Sequence, residues 1–270
     1  MERRHIVWNS ENINRLQDYL ASKASYETNY FGYQVGDMIV ELCNYFVDDL
    51  NACKVLDYGC GKGHIMQHFC EKGINIWGID MAINAMEASF ERCKKYKCFQ
   101  EVKIFDGGRL PFDSNSFDLV VCTECIEHVL PEHMDGLLDE ILRVVKPEGR
   151  VLITTRNEED FEKSELCCPE CNTIYHRVGH VNRYSVNSLT ELMEKHNYKT
   201  IMCNGTDFHE FRKYITHPPI LDMSLKSMYY QFRRSIIKLT DLHRGTLQSK
   251  VFKVNMNLRY RPNLFYVGTK

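Results

Sequence analysis

Short apolar runs closed by polar or glycine-rich stretches alternate through the middle of this chain with segments whose apolar positions recur at helical spacing. Val55 to Asp57, Ile76 to Asp80, Lys103 to Gly107, Ser116 to Cys122 and Val151 to Thr155 read as strands. Met134 to Val145 reads as a helix that enters a turn at Lys146-Pro147-Glu148-Gly149, and Asn187 to His196 as another helix leading to a strand at Lys199 to Cys203. Before them, Asn12 to Ala21 and Gly36 to Leu50 carry spaced apolar positions, and Asn263 to Gly268 reads as a last strand. Leu225, Met228, Phe232, Ile236 and Leu239 repeat at the spacing of an amphipathic helix. Alternating strands and helices predict an α/β fold. The expected organisation is a helical cap segment at 1–50, a cofactor-binding domain at 51–210, a basic helical insertion at 211–250 and the final strand within 251–270. Within the cap, Tyr26, Tyr30, Phe31 and Tyr33 form an aromatic loop placed to close over a bound ligand.

The first apolar run ends in Asp57-Tyr58-Gly59-Cys60-Gly61-Lys62-Gly63. Three glycines at alternate positions let backbone amides approach a ligand, since none carries a Cβ to block positive φ or close contact. A dinucleotide-binding turn requires Gly-x-Gly-x-x-Gly with a pyrophosphate on the following helix. Here the third glycine comes one residue early and an acid precedes the turn, which suits a cationic or hydroxyl-bearing ligand better than a phosphate. Val55 to Gly63 resembles the first motif of class I S-adenosylmethionine-dependent methyltransferases.

That resemblance implies a Rossmann-like seven-stranded sheet with helices on both faces and an antiparallel last strand. It further implies that Asp57 helps to hold the cofactor's ammonium group, Asp80 its ribose hydroxyls and Asp106 its adenine, over a turn shaped by Gly59, Gly61 and Gly63. Cys60, Met81, Gly107 and Thr123 complete the cofactor-binding candidates. The resemblance covers about half the chain, and it implies transfer of a methyl group from S-adenosylmethionine to an acceptor. His128 is the candidate base, with Glu127 as its orienting partner or as a metal ligand.

Two constellations carry metal-binding chemistry. Cys168, Cys171, His176 and His180 give a Cys-x2-Cys-x4-His-x3-His spacing, which allows one loop at 167–180 to wrap a tetrahedral zinc ion. Cys167 is an alternative to Cys168, and a closed four-ligand site implies a structural role. Glu124, Glu127 and His128 resemble the metal motif of small-RNA 3′-terminal 2′-O-methyltransferases and of ubiquinone-pathway O-methyltransferases, in which a later histidine completes the set. His180 stands at about that place and competes for both ions. A divalent metal there would lower the pKa of an acceptor hydroxyl; the alternative is a metal-free His128.

Composition agrees with one sizeable core plus appended elements: 270 residues, of which 44% are hydrophobic and 26% charged. No apolar run reaches membrane-spanning length, the amino terminus leads into no secretory apolar region, and the 12 cysteines are scattered. A cytoplasmic enzyme with reduced core thiols is the expectation. The net charge of −2 conceals an asymmetry, because Phe211 to Lys270 carries twelve lysines and arginines against Asp222 and Asp241. Interleaved aromatics such as Tyr229, Tyr230 and Phe232 make a mixture suited to phosphate contact and stacking.

Three functions follow from these features. One is O-methylation of a hydroxyl on a small, anionic or nucleotide-linked, sugar-like acceptor. Another is methylation of RNA or other nucleic acid through the basic carboxy-terminal region, against which a pI near 6.6 counts. The third is a non-catalytic cofactor-binding subunit that docks a partner through the zinc loop.

Overall fold

A computed structural model describes residues 3–209, 212 and 261–270. In chain order the strands and helices are β1 (Arg4–His5), α1 (Ser10–Ser22), α2 (Phe31–Phe46), β2 (Lys54–Tyr58), α3 (His64–Glu71), β3 (Asn75–Asp80), α4 (Ile83–Cys93), β4 (Phe99–Ile104) and β5 (Phe117–Thr123). They continue as α5 (Pro131–Val144), β6 (Val145–Arg156), β7 (Glu165–Cys167), β8 (Thr173–His176), α6 (Val186–Lys195), β9 (Lys199–Thr206) and β10 (Asn263–Thr269). The expected amphipathic helix around Leu225 to Leu239, and with it most of the basic insertion, lies outside the described residues.

Seven strands form one sheet in the order β4-β3-β2-β5-β6-β10-β9. The pairs from β4 to β6 are parallel. The last strand, β10, runs antiparallel to both of its neighbours, β6 and β9. The chain leaves β2 toward β3 and β4 on one side, then returns to add β5 on the other. This reversal opens a crevice at the carboxyl ends of β2 and β5, where open α/β sheets place their ligands.

Strand side chains alternate between two apolar layers. Val55, Leu119, Val121, Leu152, Phe265 and Val267 join α2 and α3 in one core. Leu56, Val120, Cys122, Ile153, Leu264 and Tyr266 join α5 and α6 in the other. Phe69, Phe265 and Tyr266 are among the largest fully buried side chains, each stabilising the fold by about 1.5–3 kcal/mol through burial.

Several boundaries differ from the sequence expectation. The helix expected from Gly36 begins at Phe31 and bends at Val35, whose φ of −138° is not helical. The helix expected from Met134 begins at Pro131, because a proline at the first helical position lacks only an N–H that would be unpaired anyway. The strand expected at Lys103 to Gly107 is β4, which spans Phe99–Ile104. Asp106 lies beyond it in an exposed turn, where its carboxylate accepts from the Gly108 N–H at 3.0 Å. Lys146 to Gly149 is no separate turn. It is an irregularity inside β6, with Glu148 at φ 62° and a register shift between Phe117 and Leu119 on the paired strand.

The loop expected at 167–180 is instead the tip and outgoing strand of a hairpin, β7–β8, which pairs with β1 in a small three-stranded sheet. Among the described residues, no helix is long and apolar enough to cross a membrane.

Candidate functional site

The turn after β2 is built from main-chain hydrogen bonds. The Gly59 and Cys60 N–H groups both donate to the Ile79 carbonyl at 2.9 Å, and the Gly63 N–H donates to Cys60 O at 2.9 Å. Asp80, at the end of β3, accepts from Gly61 N at 2.7 Å and from Ala82 N at 2.8 Å. Its carboxylate thus ties the glycine turn to the neighbouring strand. Gly59 and Gly63 sit at φ 73° and 74°, and added Cβ atoms would meet Cys125 Sγ at 2.7 Å and Ser89 Oγ at 2.6 Å. Gly61, at φ 51°, faces open space. Cys60 turns its thiol into the core toward Ser89, so it offers the crevice only its backbone.

Asp57 is fully buried with no partner on either carboxylate oxygen. Burial, with the Asp80 charge adding to it, pushes its carboxyl up to about 8. Such an acid awaits either a proton or a cation. Gly107 has φ 91°, Met81 is 45% exposed and Thr123 closes β5. Asp57, Asp80, the three glycines and Thr123 therefore stand at the carboxyl ends of β2, β3 and β5, while Asp106 and Gly107 follow β4.

The aromatic loop is latched to this turn. Tyr30 and Tyr33 pack on His64 with ring centroids 5.5 and 5.6 Å away. Glu27, three residues before Tyr30, pairs with Lys62 at 3.1 Å, with His64 at 3.2 Å and with Arg92. Sequence reasoning found the aromatics and missed Glu27, because its three partners come from α3, α4 and the glycine turn.

After β5 the chain does not enter an α-helix. Glu124 takes φ 47° and donates its N–H to Thr154 O at 2.9 Å, and Ile126–His128 form one 3-10 turn. A non-glycine residue in this left-handed region costs about 1–3 kcal/mol. The turn then aims Glu127 inward, where it is 1% exposed. The loop after β8 closes over it: Val181 N and Asn182 N donate to Glu127 O at 2.8 and 3.1 Å, and Asn182 Nδ2 donates to Ile126 O at 3.1 Å. These bonds bring His180 against His128, with ring centroids 4.7 Å apart. Glu127, His128 and His180 together place three ligand atoms within 4.8 Å of one another.

The protonation of this cluster follows from its partners. His128 Nδ1 lies 3.2 Å from Gly179 O, which can only accept, and 3.3 Å from Gln17 Nε2, which donates to Val178 O; the carbonyl contact is met with the proton on Nδ1. His180 Nδ1 faces the Glu159 carboxylate, which fixes the same tautomer. Metal-binding histidines are oriented by bonds of this kind. Burial lowers His128 to about 3, helped by His180, and burial likewise lowers His180. Both rings are therefore neutral at pH 7. Neither Glu127 oxygen has a partner, nor does Glu124 Oε1. Burial raises Glu124 to about 7 and, with the Glu124 charge beside it, raises Glu127 well above the carboxylate range.

The same geometry does not bring the four zinc candidates together. Cys168 and Cys171 stand at the hairpin tip, where Cys171 Sγ contacts Thr173 Oγ1 at 3.2 Å. His176 lies at the far end of β8, paired with Glu165. Three strand steps separate Thr173 from His176, about 10 Å. His176 and His180 gather with Glu159 instead, and among the described residues neither cysteine joins a group of three ligands. His176 Nδ1 accepts from His180 N at 3.1 Å, so its Nε2 carries the proton and lies 3.4 Å from Glu159 Oε1. Burial alone would raise Glu159, but the two imidazoles outweigh it and hold the carboxyl well below its usual range. Glu159 escaped sequence reasoning because it lies in no motif; only the β5–β6 pairing brings it opposite Glu124. Glu124 itself is outside the three-ligand group, since the 3-10 turn replaces the helix that would align it with Glu127.

A family described as a methyltransferase domain matches residues 8–202. The chain belongs to the methyltransferase domain family. S-adenosylmethionine is the cofactor of this class. The domain is 30% identical over 124 residues to the ubiquinone biosynthesis O-methyltransferase of Rickettsia canadensis, covering 45% of this chain and 50% of that protein. It is also 30% identical over 119 residues to phosphoethanolamine N-methyltransferase 3 of Arabidopsis thaliana, covering 43% of this chain and 24% of that protein. The chain thus spans half or less of these curated relatives. In fold it is similar to Haemonchus contortus phosphoethanolamine N-methyltransferase 2 in complex with S-adenosyl-L-methionine, with a TM-score of 0.58 at 18% identity, covering 94% of this chain and 60% of that one.

Proposed function

We propose that this methyltransferase domain transfers the methyl group of S-adenosylmethionine to a hydroxyl oxygen of a small acceptor, assisted by a divalent cation. The observation that carries this reading is the buried Glu127 carboxyl, with no hydrogen-bond partner on either oxygen, whose ligand atom lies within 4.8 Å of a ring nitrogen of His128 and of His180. Glu127 and His180 are buried and Glu124 and His128 half-buried, an arrangement that is costly if its carboxyls ionise without a cation, and this donor set suits a borderline divalent ion. Glu127, His128 and His180 would hold it with Glu124 alongside, and its chemistry would be to lower the pKa of a bound hydroxyl. An amine acceptor would need no such help.

The protein's own residues position and shield. Asp57 neutralises the cofactor's ammonium, Asp80 faces its ribose, Asp106 its adenine, and Gly61 leaves room for it. The latched loop at Tyr30 keeps water from the crevice. His128 acts as a ligand rather than as the base, since burial makes it a poor proton acceptor at neutral pH. Glu124, with its carboxyl near 7, takes up the hydroxyl proton. As the oxygen–carbon bond forms, the carbon–sulfur bond breaks and its electron pair returns to sulfur.

Titration with Mn²⁺ tests the reading. Wild type is expected to bind one ion. Glu127→Gln is expected to weaken binding more than about 100-fold, and Glu159→Gln, which only orients His180, about 10–100-fold. Absence of binding in wild type, or unchanged affinity in Glu127→Gln, removes the metal from the mechanism.

A further inference from the structure

A cavity of about 340 Å³ is lined in part by His180. Its deepest residues are His176 and His180, 4% and 7% exposed. Trp8 and Phe161 supply aromatic walls, with the Phe161 ring 5.2 Å from that of His176. Glu132 and Glu165 bring two carboxylates to it, and no lysine or arginine is among its lining residues. His176 Nε2 lies 3.4 Å from Glu159 Oε1, which anchors the ring at the base of the cavity.

The wall at Trp8 is built deliberately by the fold. β1 pairs with β8, and the Ile6 N–H donates to Ile174 O at 2.8 Å. The segment that follows crosses to the site, where Ser10 Oγ contacts His133 Nε2 at 3.3 Å on α5. A strand of two residues has no core of its own to serve, and its consequence is to bring an indole beside His180.

We infer that this cavity holds the methyl acceptor, and that it selects a flat apolar body that is uncharged or carries an ammonium over one that carries an anionic group. This rests on the metal-assisted reading above, in which His180 belongs to the reacting site. His180 lines both the ligand cluster and the cavity, so a molecule seated against it lies next to that cluster. A carboxylate or phosphate placed there would meet Glu132 and Glu165 with no compensating cation among the lining residues. An ammonium would be attracted by both carboxylates and by the indole face. The size fits a small molecule. The acceptor inferred here therefore differs from the anionic one suggested by the basic carboxy-terminal region.

The chain contains two tryptophans, Trp8 and Trp77, and Trp77 packs away from this cavity against Phe117 at 5.6 Å. In Trp77→Phe, fluorescence therefore reports on Trp8 alone. Benzylammonium, benzyl alcohol and benzoate present one ring in three charge states. Benzylammonium is expected to bind at least about five-fold more tightly than benzoate, with benzyl alcohol between them. Glu132→Gln combined with Glu165→Gln is expected to reduce that ratio below about two-fold while Mn²⁺ affinity stays unchanged. Saturation-transfer signals from the same three probes on wild type give a second readout that needs no substitution. Benzoate binding as tightly as benzylammonium, or no saturable signal with any probe, overturns the inference. Loss of Mn²⁺ binding by wild type with the probe order intact overturns the metal reading instead and leaves the cavity's selectivity standing.

Discussion

The glycine turn after β2 and the acidic cluster after β5 stand side by side at the carboxyl edge of one sheet, yet their polar groups are satisfied in opposite ways. In the turn, Gly59, Cys60, Gly61 and Gly63 all donate within the protein, and both Asp80 oxygens are engaged. In the cluster, both Glu127 oxygens and one Glu124 oxygen have no partner. The first region is complete as a shape before any ligand arrives. The second leaves buried carboxyl oxygens without a hydrogen-bond partner. Asp57 belongs by position to the first region and by electrostatics to the second.

The largest effect expected from breaking the preformed region comes from its packing glycines. Gly63→Ala places a Cβ 2.6 Å from Ser89 Oγ and 2.9 Å from its Cα at φ 74°. It should destabilise the fold by about 1–3 kcal/mol and abolish cofactor binding. Gly61→Ala meets nothing within 4 Å, so its cost should be about 1 kcal/mol of backbone strain, while its methyl still intrudes on the ligand's space. Denaturant melts and S-adenosylhomocysteine titrations on both variants separate the two roles. Equal stability losses would show that the turn is not packed in the way described.

A smaller effect sharpens the place of Asp57 between the two regions. Its carboxyl rises from 3.8 to about 8 on folding, so the folded state holds the proton more tightly than the unfolded state. The stability this contributes is fully present below about pH 4 and is lost as pH rises through about 8. The difference in melting temperature, Asp57→Asn minus wild type, should therefore grow in the variant's favour between those limits. Saturating S-adenosylmethionine, whose ammonium compensates the charge, should shrink that growth. A flat difference across the range would mean that Asp57 already has a partner.

Legibility followed the same division. The α/β class was readable because local runs such as Phe117 to Cys122 carry their own periodicity, whereas the seven-stranded sheet and the antiparallel last strand followed from the resemblance to methyltransferases. The glycine turn was readable because its alternate glycines follow directly on an apolar run, although its partners Ile79 and Asp80 come from the next strand. Glu124, Glu127 and His128 were recognisable as donors, but their arrangement depended on a left-handed residue at Glu124 that no propensity announces. His180 could be placed near them only by analogy; the hydrogen bonds of Val181 and Asn182 to Glu127 O are what bring it there. Glu159 and Trp8 were illegible, since each reaches the site through strand pairing distant in sequence. The zinc spacing counts residues along a chain and takes no account of the strand that stands between Cys171 and His176.

The smallest expected effect decides between those two accounts of the hairpin. If Cys171 only caps the β7–β8 turn, Cys171→Ser keeps a group able to contact Thr173 Oγ1, and the change lies on a half-exposed surface. Substitutions in such places shift stability by no more than about 0.5 kcal/mol. Metal content by elemental analysis should then be the same in Cys171→Ser as in wild type, and should fall only in Glu127→Gln. A structural zinc would behave in the opposite way, because losing one thiolate of four removes a ligand on which a small hairpin's folding depends. Zinc that disappears with Cys171, together with a large drop in melting temperature, would mean that the hairpin rearranges to bring His176 and His180 to its tip. The tautomer assigned to His180 would then fail as well, since Glu159 could no longer hold it.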